Sequence, residues 1–211
     1  MYGKNKIKKF ISKYTDENST EVLSLGIDKW AGFIAMFVFP ILLFKYFSPE
    51  SLRDFYHTNS QNNLPNWIFI LCIVAAITLN FFIAGKKANH DIYPQMRLNQ
   101  WNILHWVFYI FGWSIYLFAY EFLFRGILFF IPFYDFSLVM LIAINCILYA
   151  FAHLPKGKKE IIASLPFGVI LCLLTLYADG FWPAFWLHFT LAVSNSIFAF
   201  RGNPNMILKW K

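Results

Sequence analysis

Six stretches of this sequence are long, apolar and nearly free of charge, which leaves them little to fold into except a lipid bilayer. Residues 30–44 are uncharged, and the run continues to Phe47 past Lys45 alone. Residues 66–85, 136–152 and 161–178 are also uncharged, and 180–200 carry only His188. The stretch 101–131 exceeds the length of one span and holds Glu121 and Arg125 inside it. An apolar run of about 18 or more residues reads as a spanning helix. Composition agrees: 59% of the 211 residues are hydrophobic and 14% charged, against about 45–50% and about 25% in a soluble domain. The expected fold is therefore all-α, a polytopic transmembrane helix bundle of about six spans in one domain.

Four segments follow along the chain. Residues 1–28 are polar and basic, with no apolar core ahead of a small-residue cleavage site, and are expected to be a cytoplasmic N-terminal segment. Residues 29–100 hold two helices and their loops, 101–201 a membrane core, and 202–211 a cytoplasmic tail. A surface helix over 10–25 is a further expectation, carried by Phe10, Ile11, Tyr14, Val22 and Leu25 with weak periodicity. The connecting loops are short except 48–65, which contains Pro49 and Pro65. Cysteines 72, 146 and 172 lie in apolar stretches with neither disulfide nor metal-ligand spacing, so they read as small packing residues.

The net charge of +7 is a topology signal. Six spans place Lys4, Lys6, Lys8, Lys9, Lys13 and Lys29 on one side. Lys86, Lys87 and Arg97 join them, as do Lys156, Lys158, Lys159, Arg201, Lys209 and Lys211. Those are fifteen of the 18 Lys and Arg; Lys45 and Arg53 fall on the other side, and Arg125 within a span. The excess of cations in cytoplasmic loops then puts both termini in the cytoplasm. The same lysines favour membrane lipid with anionic headgroups as a partner. Nucleic acid is not expected as a partner.

Ionisable residues inside a span are costly and by default mark paired, interior, functional positions. Glu121 and Arg125, four apart on one helix, can meet as an ion pair. His153 ends the fourth span and His188 opens the sixth. Each also has a plain reading: a neutralised helix staple for Glu121 and Arg125, hydrogen-bonded packing for the histidines, and interhelical glue for Asn80, Asn145 and Asn195.

Order and spacing add to this. Tyr120-Glu-Phe-Leu-Phe-Arg-Gly126 resembles the Glu-Glu-x-x-x-Arg motif of the CAAX prenyl protease and bacteriocin-processing family of intramembrane proteases. Tyr149-Ala-Phe-Ala-His153 resembles that family's Phe-x-x-x-His motif, and Trp182-Pro-Ala-Phe-Trp-Leu-His188 leads into its His-x-x-x-Asn motif. The resemblance covers roughly residues 100–200. It departs at Tyr120, where the first glutamate is expected, at Tyr149 in place of phenylalanine, and at Ala192 in place of asparagine.

The resemblance implies hydrolysis of a peptide bond at the membrane, on a peptide or lipidated protein substrate, in the plasma membrane of a bacterium. In the family's mechanism a glutamate and the first histidine activate water, and the second histidine helps the asparagine stabilise the oxyanion. Carried over, Glu121 and His153 activate water and His188 stabilises the oxyanion, with Arg125, Tyr120, Tyr149 and Asn195 in support. Tyrosine, with an unperturbed pKa near 10, is no base at neutral pH, so the base falls to Glu121. Asn195 lies seven residues past His188, about 10 Å along a helix, and does not stand in for asparagine at i+4. No cofactor is expected; the rival arrangement is zinc held by Glu121, His153 and His188. Straight helices would leave His153 nearer the cytoplasm than Glu121 and His188. Two other functions stay open: an inactive relative serving as membrane scaffold or bacteriocin self-immunity protein, and a small transporter, against which the lack of inverted repeats argues.

Overall fold

The computed structural model describes residues 2–47, 63–90, 92–130 and 136–209. Pro49, Arg53 and most of the loop expected over 48–65 lie outside the described residues, as does Lys211. All six apolar stretches are helical, and the fold is an all-α membrane bundle. Helices α1 (Tyr2–Ile11) and α2 (Glu17–Phe33) come first, then α3 (Phe39–Phe47) and α4 (Asn66–Ile83). After them run α5 (Ile103–Glu121), α6 (Leu138–Ala152), α7 (Lys158–Ala178) and α8 (Trp182–Gly202). Among the described residues, four continuous helices are long and apolar enough to cross a membrane: Glu17–Phe47, Asn66–Ile83, Ile103–Ile127 and Lys158–Ala178. The apolar α6 has 15 residues, fewer than a span needs. α8 has 21, but Thr190, Ser194, Asn195 and Ser196 make it more polar than those four.

The expected surface helix over 10–25 is in fact two helices. α1 ends at Ile11, and α2 begins where Asp16 caps it: the Ser19 backbone N–H donates to Asp16 Oδ1 at 3.0 Å and the Ser19 hydroxyl to Oδ2 at 2.6 Å. The hydroxyl first and the N–H second hold the Asp16 carboxyl below its ordinary pKa. α2 then runs past residue 28 and through a wide turn, Ile34–Val38, into α3. Pro40 stands two residues past that turn. Proline lacks an N–H and its ring crowds the carbonyl four residues back, and a turn of i→i+5 pitch is one way a helix absorbs such an interruption. A second wide turn, Phe122–Ile127, continues α5.

The chain divides into two compact units. One comprises Met1–Gly32, Leu71–Tyr116 and His188–Lys211. In it Asn80 of α4 donates to the Leu191 carbonyl and to Ser194 Oγ of α8, both at 2.8 Å, as interhelical glue should. A parallel strand pair, β1 (Gln100–Trp101) with β2 (Ile207–Leu208), ties the C-terminal residues to the segment entering α5. Trp101 is wholly buried there against Trp106, Tyr109 and Phe200.

The other unit comprises Phe33–Ile70 and Leu117–Leu187. Ser137 caps α6, its hydroxyl accepting the Met140 N–H, and α7 closes on Asp179 in the left-handed region with φ 50°. Gly168 lets α7 approach α6 closely, since a Cβ there would stand 3.2 Å from both Cys146 Sγ and Tyr149 Cδ1.

Burial is inverted as a bilayer requires. Trp67, Ile70, Leu79, Phe81 and Phe82 on α4 are exposed, while its Asn80 is buried. Glu121, Arg125 and Thr175 have no exposed surface at all. Apolar side chains outward and polar ones inward is the stable arrangement when the solvent is lipid.

Candidate functional site

Glu121 is the last residue of α5 and Arg125 sits in the wide turn that continues it. Arg125 Nη1 lies 3.1 Å from Glu121 Oε2, and both side chains are fully buried. A charge in hydrocarbon needs a partner, and i,i+4 spacing supplies one. The contact is electrostatic in character: among the described residues, no guanidinium nitrogen of Arg125 reaches hydrogen-bond geometry. Its second support is the Tyr149 ring, 4.4 Å from Cζ to the centroid, with Phe124 at 5.6 Å. A desolvated guanidinium gains about 2 kcal/mol from such a face.

Tyr149 belongs to α6, whose residues 145, 149 and 153 recur every four positions and so share a face. At the start of that row, the Asn145 side-chain amide donates to the Phe124 carbonyl in the wide turn. Its Oδ1 accepts the Cys172 thiol of α7 at 3.4 Å. At the end of the row, His153 caps α6, buried, with Nδ1 2.9 Å from the Tyr149 carbonyl oxygen. A carbonyl only accepts, so Nδ1 carries the proton and Nε2 is the basic nitrogen of the neutral ring.

Four of the residues singled out by motif therefore follow one another in contact within one unit. Glu121 meets Arg125, Arg125 meets Tyr149, and the Tyr149 carbonyl meets His153. Tyr120 is buried beside them as an aromatic, stacked on Phe124 at 4.5 Å and edge-on to Tyr149 at 5.8 Å. Asn145 is the participant that motif reading assigned only to packing. Its four-residue spacing before Tyr149 and His153 was the available signal.

His188 and Asn195 belong to the other unit, on α8. His188 is buried. The Asn195 side-chain oxygen accepts the Asn89 amide at 3.0 Å, which ties α8 to the turn Lys87–Asn89. Ala192 contributes its backbone carbonyl to the Ser196 hydroxyl at 2.9 Å. Among the described residues, no group of three or more His, Cys, Asp or Glu side chains is gathered as metal ligands.

A family model described as Rce1-like, type II CAAX prenyl endopeptidase Rce1-like, matches residues 100–194. That stretch contains all three motifs. No curated protein and no solved structure matches the chain.

Proposed function

We propose that residues 100–194, a region of the Rce1-like family of type II CAAX prenyl endopeptidases, make this chain an intramembrane endopeptidase. Its substrate class is a peptide or lipidated protein held at the bilayer. Glu121 takes a proton from water as the water oxygen bonds to the scissile carbonyl carbon. His153, basic at Nε2, orients that water and shares its protons. The motif order gives His188 the role of oxyanion donor, a contribution typically worth about 10²–10³ in rate. Collapse breaks the C–N bond, and the proton held by Glu121 passes to the leaving amine.

The observation that carries this reading is the buried succession from Glu121 through Arg125 and Tyr149 to His153. A carboxylate and a histidine kept out of bulk solvent, with the histidine's tautomer fixed by a carbonyl, suit water activation. The reading takes no resident metal, because Glu121 already neutralises Arg125; zinc bound by Glu121, His153 and His188 would leave a buried cation uncompensated. The chain acts as an integral membrane protein of a bacterial plasma membrane, with both termini cytoplasmic. The one-sided distribution of Lys and Arg supports that orientation.

A second reading is favoured by particular residues. Tyr120 is packed as an aromatic where a second acid would stand, and Ala192 offers no carboxamide. A relative that has lost the chemistry would act as a membrane scaffold or in bacteriocin self-immunity. The two readings separate in proteoliposomes. The purified protein is incubated with membrane peptides, some bearing a lipidated cysteine near the C-terminus, and products are read by mass spectrometry. The protease reading requires fragments whose masses sum to substrate plus one water, with chelator present or absent. An uncut panel puts the scaffold reading first.

A further inference from the structure

α1 is only partly covered by the rest of its unit. Ile11 is buried, and Lys8 turns inward to pair with the Glu21 carboxylate of α2. Glu21 is itself buried and also accepts the Arg97 backbone N–H at 3.2 Å. That side of the helix is fixed to the protein.

The remaining arc carries two adjoining stripes. Lys6, Lys9 and Lys13 stand at i, i+3 and i+7, all exposed. Ile7, Phe10 and Tyr14 repeat the same spacing one residue on, and are 41%, 62% and 74% exposed. Tyr14 continues the stripe through the turn after α1, its N–H bonded to the Ile11 carbonyl, and its ring lies 5.5 Å from that of Phe10. α1 itself carries no acidic residue, the first in the chain being Asp16. The helix Glu17–Phe47, which is long and apolar enough to span, begins six residues after Ile11.

Water alone would favour burying Phe10 and Tyr14, and hydrocarbon would reject the lysines. The zone that accepts both is the headgroup layer, where a basic amphipathic helix lies flat with its rings at the acyl boundary. We propose that α1 docks on acidic phospholipid headgroups of the bilayer that the following helix enters, with Lys6, Lys9 and Lys13 on the phosphates and Phe10 and Tyr14 between the headgroups. This surface is independent of the protease reading.

The test uses the full chain with its three native cysteines replaced, an environment-sensitive fluorophore on Phe10→Cys, and a control label on Asn18→Cys. The protein is placed in nanodiscs of phosphatidylcholine alone or of phosphatidylcholine with phosphatidylglycerol. Docking predicts that the label at residue 10 shifts to the blue and escapes a water-soluble quencher in the anionic discs. High salt should reverse this by screening, and so should Lys6→Gln/Lys9→Gln/Lys13→Gln in the same labelled protein, while the label at residue 18 reports no change. Equal quenching at residue 10 in both lipids at low salt overturns the proposal.

Discussion

The proton-bearing Nδ1 of His153 donates to the carbonyl oxygen of Tyr149, 2.9 Å away and one turn back on the same helix. The tyrosine ring, in turn, lies 4.4 Å from the Arg125 guanidinium. One residue thus serves two neighbours by different means, its backbone holding the histidine and its ring holding the arginine. Tyr149→Phe keeps both and should leave folding and histidine orientation nearly intact. Tyr149→Leu keeps the carbonyl but loses the aromatic face, and should cost about 2 kcal/mol. Thermal unfolding in detergent distinguishes the two variants. Equal losses would show that the phenolic hydroxyl carries the contribution.

Breaking the buried ion pair should be more damaging. Arg125→Met leaves Glu121 without its counter-charge at zero exposure, and removal of one partner of such a pair costs about 3–5 kcal/mol. Glu121→Gln/Arg125→Met removes both charges and should recover most of that loss. A double-mutant cycle on unfolding midpoints measures the coupling. Strictly additive effects would mean that the two charges do not interact in the folded protein.

Asn145 stitches the wide turn to α6 through the Phe124 carbonyl. Asn145→Leu should destabilise the fold by about 1–3 kcal/mol, the cost of leaving a buried group unsatisfied. The same turn carries Arg125, so activity should fall as well if the proposed reaction operates. A variant as stable as the parent would show that the turn holds its shape unaided.

Topology can be read with single cysteines at Ser60→Cys and Lys158→Cys in a background without native cysteines. Lys158 is preferable to its neighbour Gly157, whose φ of +100° a side chain would strain. The expected result is labelling of residue 158 from the cytoplasm and of residue 60 from outside. Labelling of both from one side would reject cytoplasmic termini with six crossings.

Much of the fold is written in the sequence because the bilayer enforces it. Uncharged runs have to become helices, and Glu121 and Arg125, as charges inside one, have to turn inward together; both side chains are fully buried. What escaped is what depends on distant partners. Lys29 reads as a loop cation in sequence, yet it lies within α2 and is almost wholly buried. Its ammonium sits 3.5 Å from the Trp113 ring centroid, 4.4 Å from that of Tyr116, and donates to Gln95 at 3.1 Å. No local pattern announces an aromatic cage assembled from residues more than eighty positions away. Without Lys29 the charge split is still fourteen to two, so the orientation argument stands.

The candidate site shows the same division. Motif order picked out Glu121, Arg125, Tyr149 and His153, which do form one succession of contacts. Straight-helix geometry took no account of the wide turn Phe122–Ile127 or of Tyr149 lying against Arg125. Two-residue strands such as β1 and β2 leave no period to read. The carboxamide oxygen of Asn195 accepts from Asn89, a partner 106 positions away.

The most direct measurement is cleavage of a membrane peptide by the purified protein and by its Glu121→Gln variant, each shown to be folded in the same proteoliposomes. The substitution keeps the shape of the side chain and removes its basic carboxylate. If Glu121 activates water, the rate should fall by about 10² or more, with substrate binding retained. An unchanged rate in the variant would contradict the account and place the base elsewhere.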